Sequence, residues 1–293
     1  MRLVTFVKEK ENTPRIGALQ TTGGRTSVID LNRADPALPT DMKALLNGGP
    51  AALERTRTAS DGAATGSAYD LSGVTLQAPV PHPGKIICIG LNYRDHAAES
   101  NLEIPDVPTI FSKFANAVTA PGAPIVIPRV SQRVDYEGEL AFVMGRRGRY
   151  IPEEQALAHV AGYMAFNDVS ARDFQMRTSQ WTIGKTFDTF APMGPALVTA
   201  DEIPDPHALD IRVSIGDEVL QASNTRHLIF SIPQLVAYLS QVMTLEPGDV
   251  VATGTPAGVG FARRPPRFLR PGDVVRIEIE GLGVLENPVT AET

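Results

Sequence analysis

The chain has 293 residues, 43% of them hydrophobic, and a formal charge of −6. That is enough apolar material for a full core and argues against disorder, and the length fits one large domain or a large one with a small one. Basic residues are scattered along it, so nothing electrostatic points to nucleic acid or an anionic membrane as partner; a small anionic ligand would need local positive charge.

The first thirty residues hold three short β-like pieces, "RLVTFV", "RIGALQT" and "TSVIDL", separated by turns such as "TTGGR". The segment at the N-terminus is not read as a secretory signal, because Lys8, Glu9, Lys10 and Glu11 interrupt its apolar run. No stretch approaches the roughly 20 apolar residues of a membrane span, so the expectation is a soluble, cytoplasmic protein. Two helices are expected next: "DMKALLNGG", stopped by its Gly pair, and "PAALERTRTA", opened by Pro50. The small-residue stretch "SDGAATGSAYD" reads as a linker, which divides the chain into a small N-terminal α+β domain, 1–75, and a larger domain, 76–293.

From "KIICIG" onward β-branched runs dominate: "APIVIP", "LDIRVSIG", "DVVATGT" and "DVVRIEIEG". "SIPQLVAYLSQVM" is the clearest helix, with Ser231 as N-cap and Pro233 in its first turn. "PGDVV" occurs twice, as a reused turn leading into a strand and not as a domain repeat. The single cysteine, Cys88, lies in an apolar run and reads as a buried thiol; disulfides within the chain are excluded.

"VDYEGELAFV", 134–143, reads as a strand, placing Asp135, Glu137, Glu139, Ala141 and Val143 on one face. Two carboxylates about 7 Å apart on a strand that runs into apolar residues would repel and lose hydration without a positive group between them. One cysteine and five histidines leave no zinc-binding pattern, so the available ligands are carboxylates, which suit Mg²⁺, Mn²⁺ or Ca²⁺. Asp168, at the expected strand end in "AFNDVSARDF", offers a third; two exposed glutamates on a solvated face is the competing reading. His96 and Glu99 in "NYRDHAAESN" stand three apart, where one helical turn would let the carboxylate orient the imidazole as a base, or merely form a surface ion pair. "GTPAGVG", 254–260, is either a plain tight turn or one whose N–H groups hold an anionic oxygen. Lys185, Arg172 and Gln175 could supply positive charge and a donor.

The motifs "DYEGELA", "FNDVSARDFQ", "GKTFDTFAPMGPA", "GTPAGVG" and "PGDVVRIEIEGLGVLENPV" occur in one order that resembles the fumarylacetoacetate hydrolase family from about Lys85 to Val289, with residues 1–75 resembling the small N-terminal domain of its longer bacterial members. The resemblance implies a β-rich mixed sandwich or roll and a homodimer. It implies Mg²⁺ or Mn²⁺ held by Glu137, Glu139 and Asp168, a water-activating dyad of His96 and Glu99, and Lys185 as an electrostatic stabiliser. Arg172, Gln175 and Thr255 match positions that contact substrate. The expected reaction is hydrolysis of a C–C bond in a 2,4-dioxo acid of the acylpyruvate kind, as in aromatic catabolism. Its rivals are decarboxylation, isomerisation, hydration or lyase cleavage at the same site, or a silent binding scaffold. Phe111, Phe114, Trp181, Phe187 and Phe190 are candidates for an apolar pocket. Two places depart from the family pattern: Phe114 follows Lys113 where many relatives have proline, and Arg226 and His227 stand where smaller or acidic residues are frequent.

Overall fold

A computed structural model describes residues 1–9, 11–63, 65–99, 101 and 103–293; Lys10, Ala64 of the expected linker, Ser100 of the "NYRDHAAESN" segment and Leu102 lie outside the described residues. The architecture is α+β and rich in sheet. Among the described residues the larger sheet has twelve strands. Its central path runs from Arg2–Lys8 through Ala191–Thr199, Val160–Asn167, Gly138–Met144 and Val250–Ala252 to Ile86–Gly90 and Thr109–Lys113. All seven residues of Gly138–Met144 are buried, as expected for a strand with neighbours on both sides and cover on both faces.

The N-terminal strands continue this sheet. Arg2–Lys8 pairs with Arg15–Thr22 on one side and, through Arg2 and Leu3, with Val198 and Leu197 on the other. The strand Val74–Gln77 also pairs with Arg2–Lys8, so the proposed boundary at residue 75 falls inside a paired strand. A second sheet of five strands packs against the first. Contact is close at Gly138, where an added Cβ would lie 2.3 Å from Val213 Cγ2, so only glycine admits the second sheet here.

Local signals decide several boundaries. Asp41 caps Met42–Asn47 by accepting from the Ala44 N–H, and Ser231 with Gln234 forms a capping box at the start of Ile232–Val242. Both "PGDVV" turns carry a left-handed glycine, Gly248 (φ 84°) and Gly272 (φ 92°), and each leads into a strand.

The helix Ile232–Val242 has a second, longer-range cap. The Ile232 N–H donates to His207 Nε2 at 3.0 Å, a bond that requires the neutral ring. Burial lowers the His207 pKa, with Asp205 opposing. The folded state therefore binds this proton less readily than the unfolded chain. Its stabilisation is present above the unfolded value, about 6.5, and is lost as pH falls through the lowered folded value. The denaturation midpoint is expected to drop more steeply between about pH 7 and 5 in the native chain than in His207→Gln, which cannot titrate. Parallel pH profiles for the two proteins would contradict this role.

Candidate active site

The expected continuous strand 134–143 is interrupted. Val134–Asp135 pairs with Ser170–Ala171 as a separate two-stranded element, and regular pairing in the large sheet resumes only at Gly138. Side chains take the backbone donors at and beside the break: Asp135 Oδ1 accepts the Tyr136 N–H (2.9 Å), Asn167 Oδ1 the Glu137 N–H (3.1 Å) and Gln221 Oε1 the Gly138 N–H (3.0 Å). Asp168 follows at the end of Val160–Asn167, and its own N–H donates to Glu137 O at 2.9 Å.

These constraints bring Glu137, Glu139 and Asp168 together. One ligand oxygen from each lies within 4.8 Å of the others, and all three residues are buried. Lys185 Nζ bridges Glu137 and Asp168 at 2.7 Å each. Lys113 Nζ reaches Asp168 Oδ1 at 2.5 Å and Val169 O at 2.9 Å. Arg172 contacts Glu137 Oε1 (2.5 Å) and Asp135 Oδ2 (2.9 Å), and its Nη1 donates to Gln175 Oε1 at 2.9 Å. Gly184 lets the Arg172–Gln175 and Thr182–Lys185 helices meet closely, since a Cβ there would stand 2.4 Å from the Gln175 backbone nitrogen.

Charge accounting shows why the cluster suits a cation. Four buried carboxylates (Asp135, Glu137, Glu139, Asp168) face three buried cations (Lys113, Arg172, Lys185). Burial raises Glu137, but Arg172 and Lys185 outweigh it and hold the carboxyl below the usual range. Glu139 is the one left over: its partner among the described residues is the Gly254 N–H at 2.8 Å. Burial, then the neighbouring Asp168 and Glu137, push its pKa well above the usual range. An unpaired buried carboxylate costs several kcal/mol, which a divalent ion at Glu139, Glu137 and Asp168 would offset. The donor set, all hard oxygens, fits Mg²⁺ or Mn²⁺.

Glu137 and Glu139 line a cavity of about 900 Å³, with Asp168 fully buried beside them. His96, on the short helix Arg94–Glu99, lines it, and so do Arg172, Gln175, Lys185 and Thr255. His96 Nδ1 stands 3.5 Å from Glu99 Oε2, longer than a formed hydrogen bond; such pairs commonly tighten around substrate. Glu99 in turn accepts the Gly258 N–H (3.0 and 3.1 Å to its two oxygens). Burial raises Glu99, but His96 and Gly258 bring it below its ordinary value.

The turn 254–260 does hold anionic oxygens, and they belong to the chain itself. Gly254, Gly258 and Gly260 donate their N–H groups to Glu139, Glu99 and Asp135. The Thr255 hydroxyl is similarly engaged, donating to Gly138 O and accepting from Gln221 Nε2.

Of the five aromatic candidates only Phe111 and Trp181 line the cavity, packed edge to face at 5.5 Å. Phe187 and Phe190 pack on each other and on the core, and Phe114 points to solvent. Phe114 has a backbone reason to be there: its N–H, which proline would lack, donates to Thr186 Oγ1 at 2.8 Å and ties the Lys113 strand to the segment after Lys185. Arg226 folds back on Asn224 Oδ1 at 3.0 Å.

Sequence reasoning missed the place of Lys113 in this cluster. Alternation in "TIFSK" puts Lys113 on the face of Phe111, two residues earlier, and that was the available signal. It also passed over Asp135, which shares the Glu137 face and anchors Arg172.

The family model "Fumarylacetoacetate (FAA) hydrolase C-terminal" matches residues 85–290. The chain belongs to this family. Its α+β, sheet-rich fold is that of the solved family enzymes. It is 50% identical over 291 residues to the mitochondrial oxaloacetate tautomerase fahd2 of Xenopus laevis, covering 99% of this chain and 90% of the relative. Among solved structures it is similar to a 5-carboxymethyl-2-hydroxymuconate delta-isomerase from Mycobacterium smegmatis (TM-score 0.80, 34% identity, 100% of each chain). It is also similar to a maleylpyruvate hydrolase from Sphingobium sp. SYK-6 solved with manganese(II) and pyruvate (TM-score 0.81, 33% identity, 100% of each chain). This family member is thus an enzyme of the superfamily, with a carboxylate triad able to hold a metal. Among the described residues no helix is long and apolar enough to cross a membrane.

Proposed function

We propose that this protein is a divalent-metal-dependent enzyme that tautomerises oxaloacetate between its keto and enol forms. The observation that carries the reading is the buried triad with one uncompensated charge, two of whose carboxylates line a cavity beside His96, in a chain 50% identical along nearly its whole length to an oxaloacetate tautomerase. Mg²⁺ or Mn²⁺ held by Glu137, Glu139 and Asp168 supplies Lewis-acid polarisation of a 2-oxo acid.

The chain's own groups handle the rest. Lys185 and Arg172 place positive charge beside the 2-oxo carboxylate end, and Gln175 and Thr255 share the same wall. Tautomerisation moves one proton from C3 to the oxygen on C2: the C3–H pair becomes the C2=C3 bond, and the carbonyl π pair takes up the proton. His96 is placed to carry it, with Nδ1 toward Glu99 and Nε2, which has no partner among the described residues, toward the C3 proton; Glu99 stabilises the imidazolium.

A second reading keeps the expected C–C hydrolysis of an acylpyruvate, with His96 activating water. The His96–Glu99 pair and the likeness to a maleylpyruvate hydrolase favour it. One assay separates the two. Purified protein with Mg²⁺ or Mn²⁺ is mixed with oxaloacetate enol and, separately, with a short acylpyruvate, following enol absorbance and pyruvate together. Enol decay without pyruvate supports the tautomerase. Pyruvate from the acylpyruvate supports the hydrolase, and pyruvate from oxaloacetate supports a decarboxylase. A small anionic 2-oxo acid ligand, a homodimeric assembly and a cytoplasmic location belong to the same proposal, alongside animal relatives named as mitochondrial.

A further inference from the structure

The cavity wall carries four basic side chains: His96, Arg133, Arg172 and Lys185. Three are engaged. His96 faces Glu99, Arg172 holds Asp135 and Glu137, and Lys185 bridges Glu137 and Asp168. Arg133 alone has no carboxylate partner among the described residues, although its backbone is held on both sides. Ser131 Oγ donates to Asp173 Oδ1 at 2.7 Å and the Gln132 N–H donates to Asp173 Oδ2 at 3.2 Å. The Arg172 N–H donates to Arg133 O at 2.9 Å, which makes Arg133 the cross-strand neighbour of Arg172. Cross-strand neighbours stand about 5 Å apart, so the exposed Arg133 side chain leaves the backbone beside that of Arg172, which touches Glu137, and lines the same cavity. Asp173 also lines the cavity, but its oxygens are spent on Ser131, Gln132 and the Phe174 N–H.

We infer that Arg133 determines specificity by binding the second carboxylate of a 2-oxo dicarboxylate whose 2-oxo carboxylate end lies at the triad. The inference rests on the proposed reading of the triad as the 2-oxo acid site. A guanidinium presents parallel donors that match a carboxylate, and a free one on an otherwise largely apolar wall favours a dicarboxylate over an acid with a neutral tail. The walls formed by Phe111, Met176, Trp181 and Phe268 offer such a carboxylate no other cation.

The test is calorimetric binding of oxaloacetate and of oxalate to Mg²⁺-loaded protein, native and Arg133→Ala. Oxalate has the chelating end without the distal carboxylate. The expected result is an oxaloacetate affinity about 10- to 100-fold weaker in the variant, with oxalate affinity within about twofold of native. Arg133→Lys should recover part of the loss, and Arg133→Gln serves as a second neutral variant if alanine impairs folding. Unchanged oxaloacetate binding overturns the assignment, and an equal loss for both ligands overturns it in favour of a structural role. Turnover is read separately: a native protein that binds oxaloacetate without interconverting its forms sinks the tautomerase reading, and the affinity ratio still decides Arg133. Native protein that binds oxalate and not oxaloacetate sinks both.

Discussion

Replacing Glu139 with glutamine is expected to abolish tight divalent-metal binding and to lower 2-oxo acid turnover by about 10³-fold or more, the scale of losing several kcal/mol of charge stabilisation. The shape of the side chain is kept and its charge removed. Glu139 is the buried carboxylate of the cluster whose partner is a single backbone N–H, so the fold spends nothing cationic on it. For that reason the same variant should keep or gain thermal stability without metal, because a carboxyl whose charged form the site disfavours has been replaced by a neutral amide of the same shape. A Mn²⁺ titration and a metal-free thermal melt check both halves. Unaltered metal affinity would remove Glu139 from the ligand set, and a large loss of stability would contradict the charge accounting.

The second large effect is expected at His96. His96→Ala should bind metal as the native protein does and lose about 10² to 10⁴ in turnover, the range for removing a general acid–base group. His96 lines the cavity on the Arg94–Glu99 helix and lies outside the triad. The measurement is kcat alongside the Mn²⁺ titration. Native turnover in the variant would show that another group carries the proton, and lost metal binding would place His96 among the groups that build the metal site.

Features written in adjacent residues were legible. The Ser231 N-cap, the stop of the helix Met42–Asn47 at Gly48 and the two "PGDVV" turns depend on chemistry within four residues, and each stands where the sequence places it. The ordered motifs likewise foretold that Glu137, Glu139 and Asp168 would meet. What could not be read depends on partners distant in sequence. The break at Tyr136–Glu137 exists because Asn167 and Gln221 take backbone donors that a strand would have paired, and nothing in "VDYEGELAFV" encodes either partner. Lys113 reaches Asp168 from a strand four places away in the sheet order, and alternation alone did not show what its face would meet. Apolar character failed to sort the aromatics for a similar reason. Phe111 and Phe114 are three residues apart, yet one lines the cavity while the other is turned outward by the Thr186 bond to its backbone.

The most direct measurement is oxaloacetate enol decay on chelator-stripped protein, before and after stoichiometric Mn²⁺ or Mg²⁺, with pyruvate followed in parallel. Rapid decay that returns with one ion per chain, without pyruvate, is the expected result. Enol decay at full rate in the stripped protein would contradict a metal-dependent site at Glu137, Glu139 and Asp168.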